Sequence, residues 1–443
     1  MEKQDVVIIG GGPAGRSIVH SLHAAEKNLS ITLIKDEPVN VNRCAVPYGI
    51  NGKREIEKYQ IPNRLVTDFN ADLMIDRVEE IDVNAKQVQT AKGTGYEYHH
   101  LVLATGSRPI VPPIPGIDGD GITPVRSLAD LARRRELAAK STNALVIGGG
   151  YIGIEVAVVL QEMGLSVTVI EMLPRILMAT TEPEFVAAVE EKLDTMGICL
   201  MTEQKVVAFE RASAGSIRVG LDNGDGLDAD LVVLSMGVAP NTELAAKAGL
   251  EVGRTGIWVD EQLRTSGKDI YACGDCAQKF SFVNQMPVRG EFGTNAVFMG
   301  KVVALNILGN PTAFPGVINA NATAVGDLSL GSAGFTEAMA RDAGIDAVTG
   351  FSSVMDKYPM MDGVASVLTK LVFDRRNGKL VGGGVLGKGV CTAAKVDFIS
   401  FAIQMGATLE DLVRYQYATH PELAAKPSDN TYVFAARDAK KKI

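Results

Sequence analysis

The chain has 443 residues, too many for one hydrophobic core, so two or three domains are expected. Its 46% apolar and 22% charged residues are those of an ordinary globular protein, and a formal charge of −8 argues against nucleic acid or an anionic membrane as main partner. No apolar run approaches the ~20 residues of a membrane span, no secretory signal opens the chain, and the scattered, odd-numbered cysteines fit a reducing cytoplasm.

The first element is an apolar strand over residues 5–9 that runs into Gly10-Gly11-Gly12-Pro13-Ala14-Gly15. A helix over 16–25 and a second strand over 30–34 follow. Gly10 allows the tight turn, Gly12 lets a pyrophosphate approach the backbone, and Gly15 lets helix and strand pack closely. A ribose-binding carboxylate is expected after the second strand. Lys35 stands there, and Asp36 is the nearest acid.

Next comes Val41-Asn42-Arg43-Cys44-Ala45-Val46-Pro47-Tyr48-Gly49, whose cysteine has no local partner. A lone redox thiol can cycle only through a bond to an outside thiol, a persulfide, or a sulfenic acid made with oxygen. The nucleophile must be a thiolate, and Arg43 and the start of a following helix are expected to depress its pKa.

The glycine pattern recurs. A strand over 143–147 enters Gly148-Gly149-Gly150-Tyr151-Ile152-Gly153, a helix spans 154–163, and a strand over 166–170 ends on Glu171. Two such units, each in a strand–turn–helix setting, predict two dinucleotides. Glu171 lies 18 residues after Gly153 and can accept from a ribose 2′-OH, which favours NADH; Arg175 nearby keeps NADPH open.

Three later segments complete the pattern: Leu101 to Pro109 with Thr105-Gly106, Met236-Gly237-Val238-Ala239-Pro240-Asn241, and Tyr271-Ala272-Cys273-Gly274-Asp275. Together these motifs resemble the two-dinucleotide flavoprotein disulfide reductases over essentially the whole chain. The resemblance implies an α/β fold of two Rossmann-like domains plus an α+β dimerisation domain. The FAD domain would take residues 1–121 and 242–319, the NAD domain 122–241 and the dimerisation domain 320–443. It also implies that Asp275 holds the flavin ribityl chain, that Tyr151 gates the nicotinamide and that Glu155 approaches the nicotinamide and the flavin edge.

Cys44 with Pro47-Tyr48 resembles the single-cysteine branch: coenzyme A disulfide reductases, persulfide and polysulfide reductases, NADH oxidases and peroxidases. The first glycine loop lacks the histidine of the peroxidases, which counts against peroxide reduction. No appended sulfur-transfer domain is expected. Where relatives carry glutamine–glycine–arginine, Phe298-Met299-Gly300-Lys301 stands here, and Met299 is expected to make the flavin edge less polar. Tyr417 and His420, the latter with Glu422 to orient it, are expected to serve the partner subunit's site in a homodimer.

The resulting expectation is an NADH-dependent FAD enzyme reducing a small disulfide, persulfide or polysulfide, with coenzyme A disulfide favoured. Oxygen, or a small electron-transfer protein, is the alternative acceptor. Arg16, Arg43, Lys53 and Arg54 are candidates for a coenzyme A site by position. Cys273 and Cys276 are expected to be packing residues and no metal site is expected.

Overall fold

The computed structural model describes residues 1–25, 28–212, 215–389 and 391–443. Val6, Val7, Ile8 and Ile9 are all buried. A strand covered on both faces needs consecutive apolar residues, and this one lies inside a largely parallel sheet. Glu2–Ile9 pairs in parallel with Ile31–Lys35 on one side and Gly95–Leu103 on the other. Asp72–Ile75 extends the sheet beyond Ile31–Lys35. Ile270–Ala272 pairs in parallel with Gly95–Leu103, so a segment far along the chain completes the first sheet. Val78–Asp82 and Gln87–Thr90 add an antiparallel hairpin to it. His99 and His100 lie inside the strand Gly95–Leu103.

The second unit is a five-stranded parallel sheet. Its order is Ile122–Pro124, Leu231–Leu234, Asn143–Ile147, Ser166–Ile170, Cys199–Met201. Three antiparallel strands, Val206–Arg211, Ile217–Leu221 and Gly226–Ala229, cover one face through Phe209 and Val219. Ile114 and Ile117 pack into that same layer, so contact with the second unit begins before residue 122.

The C-terminal unit is a five-stranded antiparallel sheet in the order Asn321–Val325, Leu328–Gly334, Leu380–Lys388, Ser366–Asp374, Ala347–Met355. Helices Cys391–Gln404 and Thr431–Lys440 pack against it. Asn377-Gly378 turns between two of its strands, with Gly378 at φ 70°.

One core cluster positions the site. It joins Val46, Ile50 and Tyr59 beside Cys44, Ile154 and Val158 of the second unit's helix, and Val325, Leu330 and Leu386 of the C-terminal sheet. The thiol-bearing turn is thus packed against two other units, not only against its own. Among the described residues no helix is long and apolar enough to cross a membrane.

Candidate active site

The two glycine loops have the same geometry. Gly10 has φ 118°, and a Cβ there would lie 2.1 Å from the Ala104 carbonyl oxygen; a Cβ on Gly15 would lie 2.1 Å from the Gly10 oxygen. Gly148 and Gly153 repeat these approaches against Ser235 and Gly148. Gly12 and Gly150 instead face open space. They precede the helices Pro13–Ala24 and Tyr151–Glu162, neither of which has a side-chain cap. Each loop therefore offers free N–H groups and a gap where a pyrophosphate fits. Pro13 and Ala14 open the first helix, and Ile152 is exposed in the first turn of the second.

The ribose positions differ in charge. Gly10 N–H donates to the Ile34 oxygen and Gly148 N–H to the Ile170 oxygen, both at 2.8 Å, so Lys35 is the counterpart of Glu171. Glu171 accepts from the N–H groups of Gly149 at 2.7 Å and Leu173 at 2.8 Å, which fixes its carboxylate at the loop. Lys35 is buried and donates to Asn63 Oδ1 at 2.7 Å, and Asp36 follows it at the surface. Arg175 pairs with Glu190 at 2.5 Å and does not engage Glu171.

The two crossings between units lie side by side. Ser107–Pro109 pairs antiparallel with Val238–Pro240. Thr105 Oγ1 donates to the Asn241 oxygen, and Asn241 Nδ2 donates to the Thr105 oxygen, both at 2.8 Å. Gly106 and Gly237 take φ of 70° and 89° at the two bends. Asp275 Oδ2 accepts from Ser107 Oγ at 2.7 Å, and a Cβ on Gly274 would lie 3.1 Å from Ala14 Cβ. The second flavin motif is thus brought to the first glycine loop. Cys273 and Cys276 are fully buried, and the Cys276 thiol donates to the Leu103 and Cys273 oxygens. Among the described residues no cluster could hold a metal ion. Met299 is completely buried, so it belongs to the core and does not present a face at this site.

Cys44 lies on the short 3₁₀ turn Arg43–Ala45, followed by a second, Pro47–Gly49. Arg135 clamps this segment by donating to the Gly49 and Arg54 oxygens at 2.7 and 2.6 Å. The expectation for Arg43 fails. Its guanidinium pairs with Glu37 at 2.9 Å. The thiol is not depressed either: partial burial, then the carboxylates of Glu155 and Asp275, push it above the ordinary value, and Arg126 opposes them. A three-residue turn also has little dipole to offer. Cys44 nevertheless keeps solvent access and forms no disulfide. Arg126 donates to the Ser107 oxygen at 2.5 Å, and burial lowers its pKa to about 10.

Glu155 links three units. Its Oε1 accepts from Thr323 Oγ1 of the C-terminal sheet at 2.8 Å, and the helix that carries it packs against the Pro47–Gly49 turn that carries Tyr48. Burial raises the Glu155 carboxyl and, with the Glu155 charge, raises the Tyr48 phenol as well. Tyr151 starts the helix that carries Glu155, its hydroxyl accepting from Thr180 Oγ1 at 3.0 Å.

Tyr417 and His420 are not brought to Cys44 within the chain. Tyr417 donates to the Pro427 oxygen at 2.6 Å and ends a row of rings with Tyr415 and Phe398. His420 is exposed; its Nδ1 accepts from the Glu422 N–H at 3.2 Å. The Glu422 carboxylate faces Lys357 at 3.5 Å, so it does not orient the imidazole. Residues the sequence did not single out are Tyr48 as a neighbour of the Glu155 helix, Thr323, Arg126 and Arg135. Tyr48 and its neighbour Pro47 were at least visible beside the thiol; the others lie far from it along the chain.

Two dinucleotide cradles, with an accessible thiol on a turn packed against the second unit's helix and the antiparallel C-terminal sheet, define a two-nucleotide oxidoreductase of α/β class. The chain belongs to the pyridine nucleotide-disulphide oxidoreductase family: the family domain matches residues 4–300 and its dimerisation domain residues 320–430. It is 33% identical to an NADH oxidase of Methanocaldococcus jannaschii, over 99% of each chain. It is 31% identical to an NAD(P)H coenzyme A polysulfide/persulfide reductase of Pyrococcus horikoshii, over 95% of this chain and 96% of that one. The NAD-dependent persulfide reductase of A. fulgidus superposes with a TM-score of 0.92 at 32% identity, covering 99% of this chain and 83% of that one. The family uses FAD and NAD(P)H. The open Gly12 and Gly150 positions and the Asp275–Ser107 turn fit these groups.

Proposed function

We propose that this protein is a homodimeric, NADH-dependent FAD enzyme that reduces a small disulfide, persulfide or polysulfide through Cys44, with coenzyme A disulfide the leading substrate. The observation that carries this reading is the accessible thiol of Cys44, on a turn packed where the first glycine unit, the second unit's helix and the C-terminal sheet meet. FAD, when bound, supplies a two-electron relay between nicotinamide and thiol. Gly10, Gly12, Gly15, Thr105, Gly106 and Asp275 would hold it. Gly148, Gly150, Gly153 and Glu171 would hold the nicotinamide dinucleotide. The Glu171 carboxylate, with Arg175 engaged elsewhere, favours NADH over NADPH. Cys44 as thiolate attacks the substrate disulfide, keeps one half as a mixed disulfide and releases the other half as a thiol. Tyr417 and His420 sit on a surface segment from which they could serve a partner subunit.

The test is anaerobic NADH oxidation with coenzyme A disulfide or polysulfide. Cys44→Ser is expected to keep flavin reduction by NADH and lose acceptor turnover; turnover indifferent to the substitution would sink the thiol cycle. A second reading, oxygen reduction with Cys44 passing through a sulfenic acid, is favoured by the full-length NADH oxidase relative. Oxygen consumption that needs Cys44 and outpaces disulfide reduction would select it.

A further inference from the structure

The segment from Glu171 to Glu182 runs along the second glycine loop. Glu171 accepts from the Gly149 N–H, and the Leu177 N–H donates to the Gly149 oxygen at 3.0 Å. A Cβ on Gly149 would lie 2.7 Å from Ile176 Cγ2. Leu177 is buried and held at φ 53°, a left-handed conformation that a leucine keeps only where its surroundings impose it. Beyond it the segment meets Tyr151, the first residue of the helix Tyr151–Glu162. Thr180 Oγ1 donates to the Tyr151 hydroxyl at 3.0 Å, which leaves the phenol proton for Thr181 Oγ1 at 3.2 Å. The C-terminal sheet fixes both threonines. Ser332 Oγ donates to the Thr180 carbonyl oxygen at 2.9 Å. Glu182, next to Thr181, accepts from the Glu337 N–H at 2.8 Å and pairs with Lys370 at 3.0 Å. A dinucleotide's pyrophosphate sits at the helix N-terminus that Tyr151 begins, with the adenosine ribose toward Glu171. Tyr151 packs against the cluster that holds Val46, Ile50 and Tyr59 beside Cys44, so its ring lies on the side to which the nicotinamide half runs.

We propose that Thr180, Thr181 and Ser332 are positioning residues for the nicotinamide half of the dinucleotide, holding the Tyr151 ring in the one orientation against which that half binds. This rests on the reading above that the second glycine loop takes the nicotinamide dinucleotide. A tyrosine ring at the start of a helix can occupy more than one rotamer. Two hydroxyl partners on consecutive residues remove that freedom before the ligand arrives, so less side-chain freedom is lost on binding. The threonines can do this because they are fixed themselves. Leu177 ties their segment to the loop, while Ser332 and the Glu182–Lys370 pair tie it to the C-terminal sheet. Ser332 acts only through the Thr180 backbone, so its effect is the smaller one. Nicotinamide affinity thereby depends on the C-terminal unit, although both glycine loops lie outside it.

The experiment uses the FAD-loaded enzyme and two ligands that do not reduce the flavin, NAD⁺ and ADP-ribose, with dissociation constants from calorimetry. ADP-ribose carries the adenosine and the pyrophosphate but lacks the nicotinamide. Thr180→Val combined with Thr181→Val is expected to weaken NAD⁺ binding about fivefold and to leave ADP-ribose within about twofold of wild type. Tyr151→Phe, which keeps the ring and removes its hydroxyl, should weaken NAD⁺ binding equally. The valine pair should add nothing further in that background, because both changes remove the same bonds. Ser332→Ala should act in the same direction by about twofold. Thr180→Ser with Thr181→Ser keeps both hydroxyls and should bind NAD⁺ like wild type. Unchanged or tighter NAD⁺ binding in the valine pair overturns the proposal. So does an equal loss of ADP-ribose affinity, which would mark a displaced loop, or full additivity with Tyr151→Phe. If the valine pair does not fold, unchanged NAD⁺ affinity in Tyr151→Phe overturns it alone. Failure of the underlying reading shows separately, as a Gly150→Ala variant that binds both ligands like wild type.

Discussion

Arg43 and Arg126 illustrate how differently two arginines near one thiol can act. Arg43 is next to Cys44 in sequence, but Glu37 pairs with its charge at 2.9 Å. Arg126 is 82 positions away in the chain, and its charge opposes the carboxylates of Glu155 and Asp275 at the sulfur. A desolvated cation facing a thiol stabilises the thiolate more than a solvated, already paired one. Arg126→Met should therefore raise the Cys44 pKa further and slow its alkylation at neutral pH, by about threefold or more if the shift reaches half a unit. Arg43→Met should change that rate less. The pH dependence of alkylation in the two variants checks this, and the reverse order would mean that the neighbour in sequence governs the sulfur after all.

The glycine loops are where single elements decide binding. Gly10 and Gly12 are two residues apart but do different work. A Cβ on Gly10 meets the Ala104 oxygen at 2.1 Å, while Gly12 has nothing within 4 Å. Gly10→Ala should disrupt the strand–loop contact itself, lowering both flavin content and the unfolding temperature of the flavin-free protein. Gly12→Ala should leave that temperature near wild type and reduce flavin content, since the added methyl fills the space a pyrophosphate needs. Bound-flavin absorbance and thermal unfolding of the stripped protein separate the two cases. These loops were legible because each packs into one local strand–turn–helix pattern. Asp275 was legible by its motif, although its contact with Ser107 spans 168 positions. Thr323 and Arg126 were not, because no local periodicity marks a residue whose partner lies in another unit. The same blindness misplaced Met299, because the face that its helix, Gly293–Ile307, buries depends on packing with Pro13–Ala24.

On the scale of the whole molecule, the site depends on how the second unit is held against the C-terminal sheet. The Glu155–Thr323 hydrogen bond crosses that boundary, and so does a buried charge cluster. Lys370 Nζ lies 3.0 Å from Glu182, 2.9 Å from Glu184 and 3.0 Å from Glu337, with only 6% of its side chain exposed. Glu182 is 3% exposed, and burial already pushes its carboxyl above the ordinary 4.5. Removing the cation would strand this carboxylate, a loss of about 3–5 kcal/mol by comparison with broken buried pairs. The sign with pH follows from linkage. Without Lys370, the folded-state pKa of Glu182 rises further above its unfolded value, so the folded protein binds the extra proton. Lys370→Met should then be nearest to wild type in stability at acid pH, with its deficit widening as the pH rises through and above 4.5. Lys370→Met combined with Glu182→Gln should recover part of the lost stability at neutral pH, because the buried charge is gone. Thermal unfolding of wild type, single and double variants across pH measures all of this. A deficit that stays constant with pH, or a double variant no better than the single, would assign the effect to lost packing instead, and the cluster would then not be an electrostatic tie between the units.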